Sequence, residues 1–92
     1  MTTFKRIDEI DDFLSFMLVY CPDRFVPRHK MDLESVFENL NRGALAVLVD
    51  RWSSERVAVF LNLAQQSLAA YRNGDALGGS NLIQEMQGLI KR

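Results

Sequence analysis

The stretch DLESVFENLNRGALAVLVDRW, from Asp32 to Trp52, decides what kind of fold this chain adopts. Leu33, Val36, Phe37, Leu40, Ala44, Val47 and Leu48 recur at steps of three and four, so they share one side of a helix with 3.6 residues per turn. Asp32 suits the N-cap, where a carboxylate takes an otherwise unpaired backbone N–H. Gly43 costs about 1 kcal/mol relative to alanine inside a helix, but the apolar phase runs through it. The stretch therefore predicts one long helix over 32–52. A competing reading ends the helix at Gly43 and makes Leu45–Val49 a buried strand, because a short apolar run has no diagnostic period. No second strand is visible for it to pair with, so the helix is preferred.

Working outward, three further segments carry helical periodicity. Residues 4–20, in a helix that starts at Phe4 or Ile7, place Ile7, Ile10, Phe13, Leu14, Met17 and Leu18 on one face, with Asp8 and Glu9 in the first turns where the helix dipole favours negative charge. Pro22 ends that helix, because the residue before a proline avoids the helical region. A loop over 22–31 holds both prolines and the lone histidine. Ser53 or Ser54 caps a third helix over 54–72, striped by Val57, Phe60, Leu61, Ala64, Leu68 and Tyr71. Asn73-Gly74-Asp75 terminates it, with Gly74 suited to the left-handed position after a helix. Gly78-Gly79 loosens the next connection, leaving a turn of helix from Asp75 as an open variant. The last helix, 80–91, carries Leu82, Ile83, Met86, Leu89 and Ile90, and Lys91-Arg92 complements its carboxyl end. Short connections make neighbours antiparallel, and the expected architecture is an all-α, compact four-helix bundle forming a single domain over 1–92.

Residues 58–91, with Ala69-Ala70-Tyr71 before the Asn73-Gly74-Asp75 turn, resemble the helix–turn–helix unit of tetratricopeptide-type repeats. The resemblance covers about a third of the chain and implies an antiparallel helical hairpin. A second copy, which a repeat of this kind needs to bury its face, is missing.

Composition narrows function by exclusion. Among 92 residues, 48% are hydrophobic and 25% charged, with two prolines and five glycines, which excludes disorder and low-complexity linkers. Lys plus Arg number 11 against 12 Asp plus Glu, so there is no general field to draw in nucleic acid or anionic lipid. One cysteine and one histidine exclude a disulfide framework and a zinc site built from those residues. The longest apolar run, Phe16 to Cys21, is far short of the roughly 20 residues a membrane span requires. The opening residues do not read as a secretory signal, and the expected compartment is the cytoplasm.

Chemistry-bearing constellations are sparse. Nucleophilic catalysis would need Cys21 or a serine beside His29, but Cys21 follows an apolar run on the inner face of its helix and reads as a small hydrophobe. Asp8, Asp11 and Asp12 offer paired carboxylates without the burial that acid–base work needs, and without the alternating ligands of a calcium loop. Gly78-Gly79-Ser80-Asn81 lacks the lysine of a phosphate loop. No catalytic, cofactor or metal residue is expected.

Apolar residues on faces that should be wet are more informative. Val19 projects above Asp8 and Asp12 with Phe16 beside them. Leu45, Val49 and Trp52 form a stripe roughly 120° from the main one on the second helix. Val59 and Leu63 point away from the stripe of the third. A helix apolar all round is covered by something. The expected function is a non-enzymatic protein–protein interaction module, a stoichiometric binder such as a small immunity-type inhibitor or an adaptor or chaperone subunit, or a chain that pairs with itself. Phe16, Val19, Tyr20 and Trp52 would form its apolar centre, and Arg24, Arg28, His29 and Lys30 a basic rim facing an acidic surface. The alternative is a helix–turn–helix binder of nucleic acid, with Arg56, Asn62, Gln65, Gln66 and Arg72 on its recognition helix.

Overall fold

The computed structural model describes residues 4–91; Arg92, expected to complement the last helix, lies outside them. The described residues form four α-helices and no strand: α1 (Ile7–Tyr20), α2 (Leu33–Leu48), α3 (Ser54–Arg72) and α4 (Ala76–Lys91). A short 3-10 turn, Pro27–His29, interrupts the first connection. The chain is an all-α four-helix bundle. Its helices form a closed ring in which α1 packs on α2 and α4, and α3 on α2 and α4, with the α3–α4 interface the most extensive.

The helices run up and down in alternation. Phe4, just before α1, lies on Gly43 in the second half of α2. At the opposite end, Phe37 near the start of α2 meets Tyr71 near the end of α3, ring centroids 6.3 Å apart. Gln87 of α4 reaches across to α1, donating to Ser15 Oγ at 2.9 Å. Ile10, Leu14, Met17, Val36, Phe37, Leu40, Ala44, Leu48, Phe60, Ala64, Ile83 and Met86 fill the space between, fully buried. Burying each large side chain of this kind contributes about 1.5–3 kcal/mol.

Local sequence explains the ends. Asp32 caps α2 reciprocally: its Oδ1 accepts from the Ser35 N–H at 2.8 Å, and its own N–H donates to Ser35 Oγ at 2.9 Å. Those bonds hold the Asp32 carboxyl below its usual range. Ser53 caps α3 through the Arg56 N–H, and Gly74 takes the left-handed conformation, φ 81°.

Three boundaries differ from the outer limits expected. Helix α1 begins at Ile7, the later of its two expected starts, rather than at residue 4, because Arg6 is extended and sends Phe4 back over α2. Helix α2 ends at Leu48 rather than 52: one more turn would point Arg51 into the core, and instead the Leu48 carbonyl takes both the Arg51 and Trp52 N–H groups. Helix α4 starts at Ala76 rather than 80, since Asp75 caps it, accepting the Gly78 N–H at 2.9 Å. Gly78-Gly79 is helix, and Leu45–Val49 is helix and its C-cap, not strand.

Candidate partner-binding surface

The loop after α1 folds back onto it. His29 sits edge-on against two rings of α1, 5.0 Å from Phe16 and 4.7 Å from Tyr20. Phe25 covers the same pair at 6.2 and 6.4 Å. All these separations fall in the range of favourable aromatic pairs. The Val26 N–H donates to His29 Nδ1 at 3.4 Å, tying the ring back to the turn that carries it. Lys30, in the left-handed region at φ 53°, closes the 3-10 turn and redirects the chain into α2.

The residues expected to bind a partner therefore separate into four environments. Phe16, Tyr20 and His29 come together, but half-buried, as the anchor that holds the loop. Val19 is 58% exposed on the outer face. Arg24, Arg28 and Lys30 are exposed, and among the described residues no carboxylate lies within ion-pair distance of them. Trp52 does not join the others. It lies past the end of α2, ~24 Å of helix from the start of α2, packed edge-on against Phe60 at 6.0 Å with the Arg56 guanidinium 4.5 Å over its ring. A single apolar centre of Phe16, Val19, Tyr20 and Trp52 is thus corrected to two separate places. Leu45, Val49 and Val59 are exposed, whereas Leu63 packs against the core.

What the rings of α1 do form is one wall of an open groove of about 530 Å³, lined by Glu9, Asp12, Phe13 and Phe16 of α1, by His29, and by Phe4 and Met31 from the chain segments beside it. Phe4 and Phe13 meet edge-on at 5.4 Å, and Phe13 stacks on Phe16 at 5.7 Å. An aromatic ladder thus runs from Phe4 to Tyr20. Five of these seven lining residues escaped the sequence reading. The available signal was Phe13 and Phe16 lying four residues beyond Glu9 and Asp12, which puts apolar rings beside carboxylates on adjoining turns.

A second groove, about 590 Å³, lies between α2 and α3 along Leu45, Leu61 and Leu68. Its charged wall is already satisfied, with Arg42 donating to Glu38 at 2.6 Å. The α1 groove differs: among the described residues Asp12 has no ion pair, and Glu9 is reached by Arg6 only at 3.9 Å.

No family model matches the chain, and no match is found among curated proteins or solved structures. The basic groups expected of a recognition helix are occupied within the bundle: Arg72 forms a two-pronged ion pair with Glu34 of α2, and Arg56 stacks on Trp52 and donates to the Leu89 carbonyl. Among the described residues no helix is long and apolar enough to cross a membrane.

Cys21 is buried at the end of α1, and burial pushes its thiol up to about 12, the reverse of what activates a nucleophile. Tyr71 is likewise pushed up to about 12, by burial first. The unfolded chain then releases these protons before the folded one. Between about pH 9 and 12 it binds fewer protons, so stability, full below pH 9, falls as pH rises through that window. Urea titrations across the alkaline range should show this fall, and Cys21→Ala should reduce the slope without abolishing it, because Tyr71 remains. An unchanged slope in Cys21→Ala would place the thiol in water.

Proposed function

We propose that this chain is a stoichiometric protein-binding module whose contact surface is the groove along α1. The observation that carries the reading is the groove itself: an open, ring-lined trough at whose mouth Asp12 has no ion pair among the described residues, while Glu9 is reached by exposed Arg6 only at 3.9 Å. Aromatic side chains with methionine, which line this groove, are the residue types that interface centres favour. Exposed Val19 extends the apolar strip outward, and the cationic loop residues supply a rim that acts mainly on association rate and specificity. A small immunity-type inhibitor and an adaptor or chaperone subunit both work through such a surface. Catalysis is not part of the reading, since burial pushes the Cys21 thiol up to about 12, away from the thiolate that a nucleophile needs.

The test is position-dependent photocrosslinking in cells that naturally make the protein, with the reactive side chain at position 12 on the groove or at position 66 on the outer face of α3. A discrete adduct to a different protein from position 12, absent from position 66, is expected. Identical patterns from both positions, or adducts only between copies of this chain, would overturn the reading.

A further inference from the structure

The geometry points to a Lys- or Arg-bearing amphipathic helix of the partner as the occupant of the α1 groove; this rests on the protein-binding reading above and specifies its partner. Shape supplies the helix. The α1 wall consists of Glu9, Asp12, Phe13 and Phe16, spaced i, i+3, i+4, i+7, so it follows the axis of α1 for about two turns, ~10 Å. One face of a second helix repeats at the same intervals and lies naturally in such a trough. Half-buried Met31 opposite, flexible and unbranched, can adjust to its side chains.

Charge supplies the sign. The carboxylates at the mouth are those of Glu9 and Asp12. Exposed Arg6 pairs with the adjoining Asp8 at 3.3 Å and reaches Glu9 at 3.9 Å, which leaves exposed Asp12 as the lining carboxylate with no ion pair among the described residues. An ammonium or guanidinium entering there meets a carboxylate on one side and the faces of Phe13 and Phe16 on the other, an arrangement in which electrostatic and cation–π attraction act together. An acidic helix would meet like charge at the same positions. The far end of the groove has the opposite character, because exposed Arg28 and Lys30 flank His29 in the chain. The rim is bipolar, and the occupant's cationic residues belong at the Asp12 end.

The test uses the whole chain and two fluorescein-labelled peptides that share one leucine pattern, at i, i+3, i+4 and i+7, and differ only in carrying lysine or glutamate at the flanking positions. Fluorescence anisotropy gives the affinities, and amide NMR shifts give the location. The leucine–lysine peptide should bind saturably, more weakly as salt rises, with shifts centred on Phe13, Phe16 and His29. The leucine–glutamate peptide should bind at least about tenfold more weakly, and Asp12→Lys should cost the lysine peptide about tenfold, a difference of about 1.4 kcal/mol. Folding is not at stake in that variant: position 12 is exposed, and the introduced lysine stands four residues after Asp8, a favourable helical pair. Equal affinity for the two peptides, an unaffected Asp12→Lys variant, or shifts on another face would overturn the inference. Peptides that fail to discriminate beside a position-12 crosslink would sink only this inference; loss of the crosslink as well would sink the protein-binding reading with it.

Discussion

Phe16→Asp should lower the melting temperature by roughly 10–20 °C, whereas Val19→Asp should leave it within a few degrees. Both positions look alike in the sequence, as apolar residues above the acidic start of α1. The bundle separates them. The Phe16 ring touches Phe13, Tyr20, Phe25 and His29 at centroid distances of 5.7, 4.8, 6.2 and 5.0 Å, while Val19 is more than half exposed. Replacing the ring with a carboxylate forfeits part of an aromatic side chain's burial, about 1.5–3 kcal/mol when complete, together with pair contacts of about 0.5–1.5 kcal/mol each. A net loss of about 2–3 kcal/mol is expected, and each kcal/mol shifts a domain of this size by about 4–8 °C. Because those contacts pin the loop, Phe16→Asp should also speed amide exchange and proteolysis between Pro22 and Lys30. Circular-dichroism melts decide the matter: equal melting of the two variants would mean that the loop is not anchored on Phe16.

That contrast shows where sequence reading reached its limit. The fold was legible because the evidence for it is periodic: the α2 stripe kept its phase across Gly43, and Asp32 and Ser53 stand where caps belong. The end of α2 was legible too, in retrospect, since Arg51 falls on the inner face and a buried unpaired guanidinium is costly. The groove was not. Its α1 wall is one turn-by-turn stripe, but the opposite wall comes from Phe4, His29 and Met31, which lie outside the α-helices and have no period to follow. Phe4 reaches its place because Gly43 has no side chain; a Cβ there would sit 2.6 Å from the ring. Such a long-range fit between a terminal aromatic and a mid-helix glycine has no local signature. The same reasoning accounts for Trp52, whose position on the α2 wheel suggested an exposed stripe until the chain left the helix and turned the ring onto Phe60.

The second glycine contact gives the other large effect, with a sign opposite to local propensity. Gly79→Ala adds a better helix former inside α4, worth about 1 kcal/mol by intrinsic preference, yet it should destabilise the protein by about 2 kcal/mol. The new methyl would lie 2.6 Å from Cε2, 2.7 Å from Cδ2 and 2.9 Å from Cγ of Tyr71. Cγ is bound directly to the tyrosine's own Cβ, so the ring cannot swing clear as a flexible chain end would. It is 5% exposed and has the Phe37 ring packed on it at a centroid distance of 6.3 Å. The accessible response is to move α3 and α4 apart, in the most extensive interface of the bundle. That movement also stretches the buried bond in which Ser67 Oγ donates to the Gly79 carbonyl at 2.8 Å, a further loss of about 1 kcal/mol. The consequence is a melting temperature lower by roughly 8–16 °C. A double-mutant cycle isolates the cause: in a Tyr71→Leu background the alanine should cost little or even stabilise, because the ring that it strikes is gone. If Gly79→Ala raises the melting temperature with Tyr71 intact, the close approach of α3 and α4 is wrong, and Gly78-Gly79 belongs to the looser connection that its composition suggests.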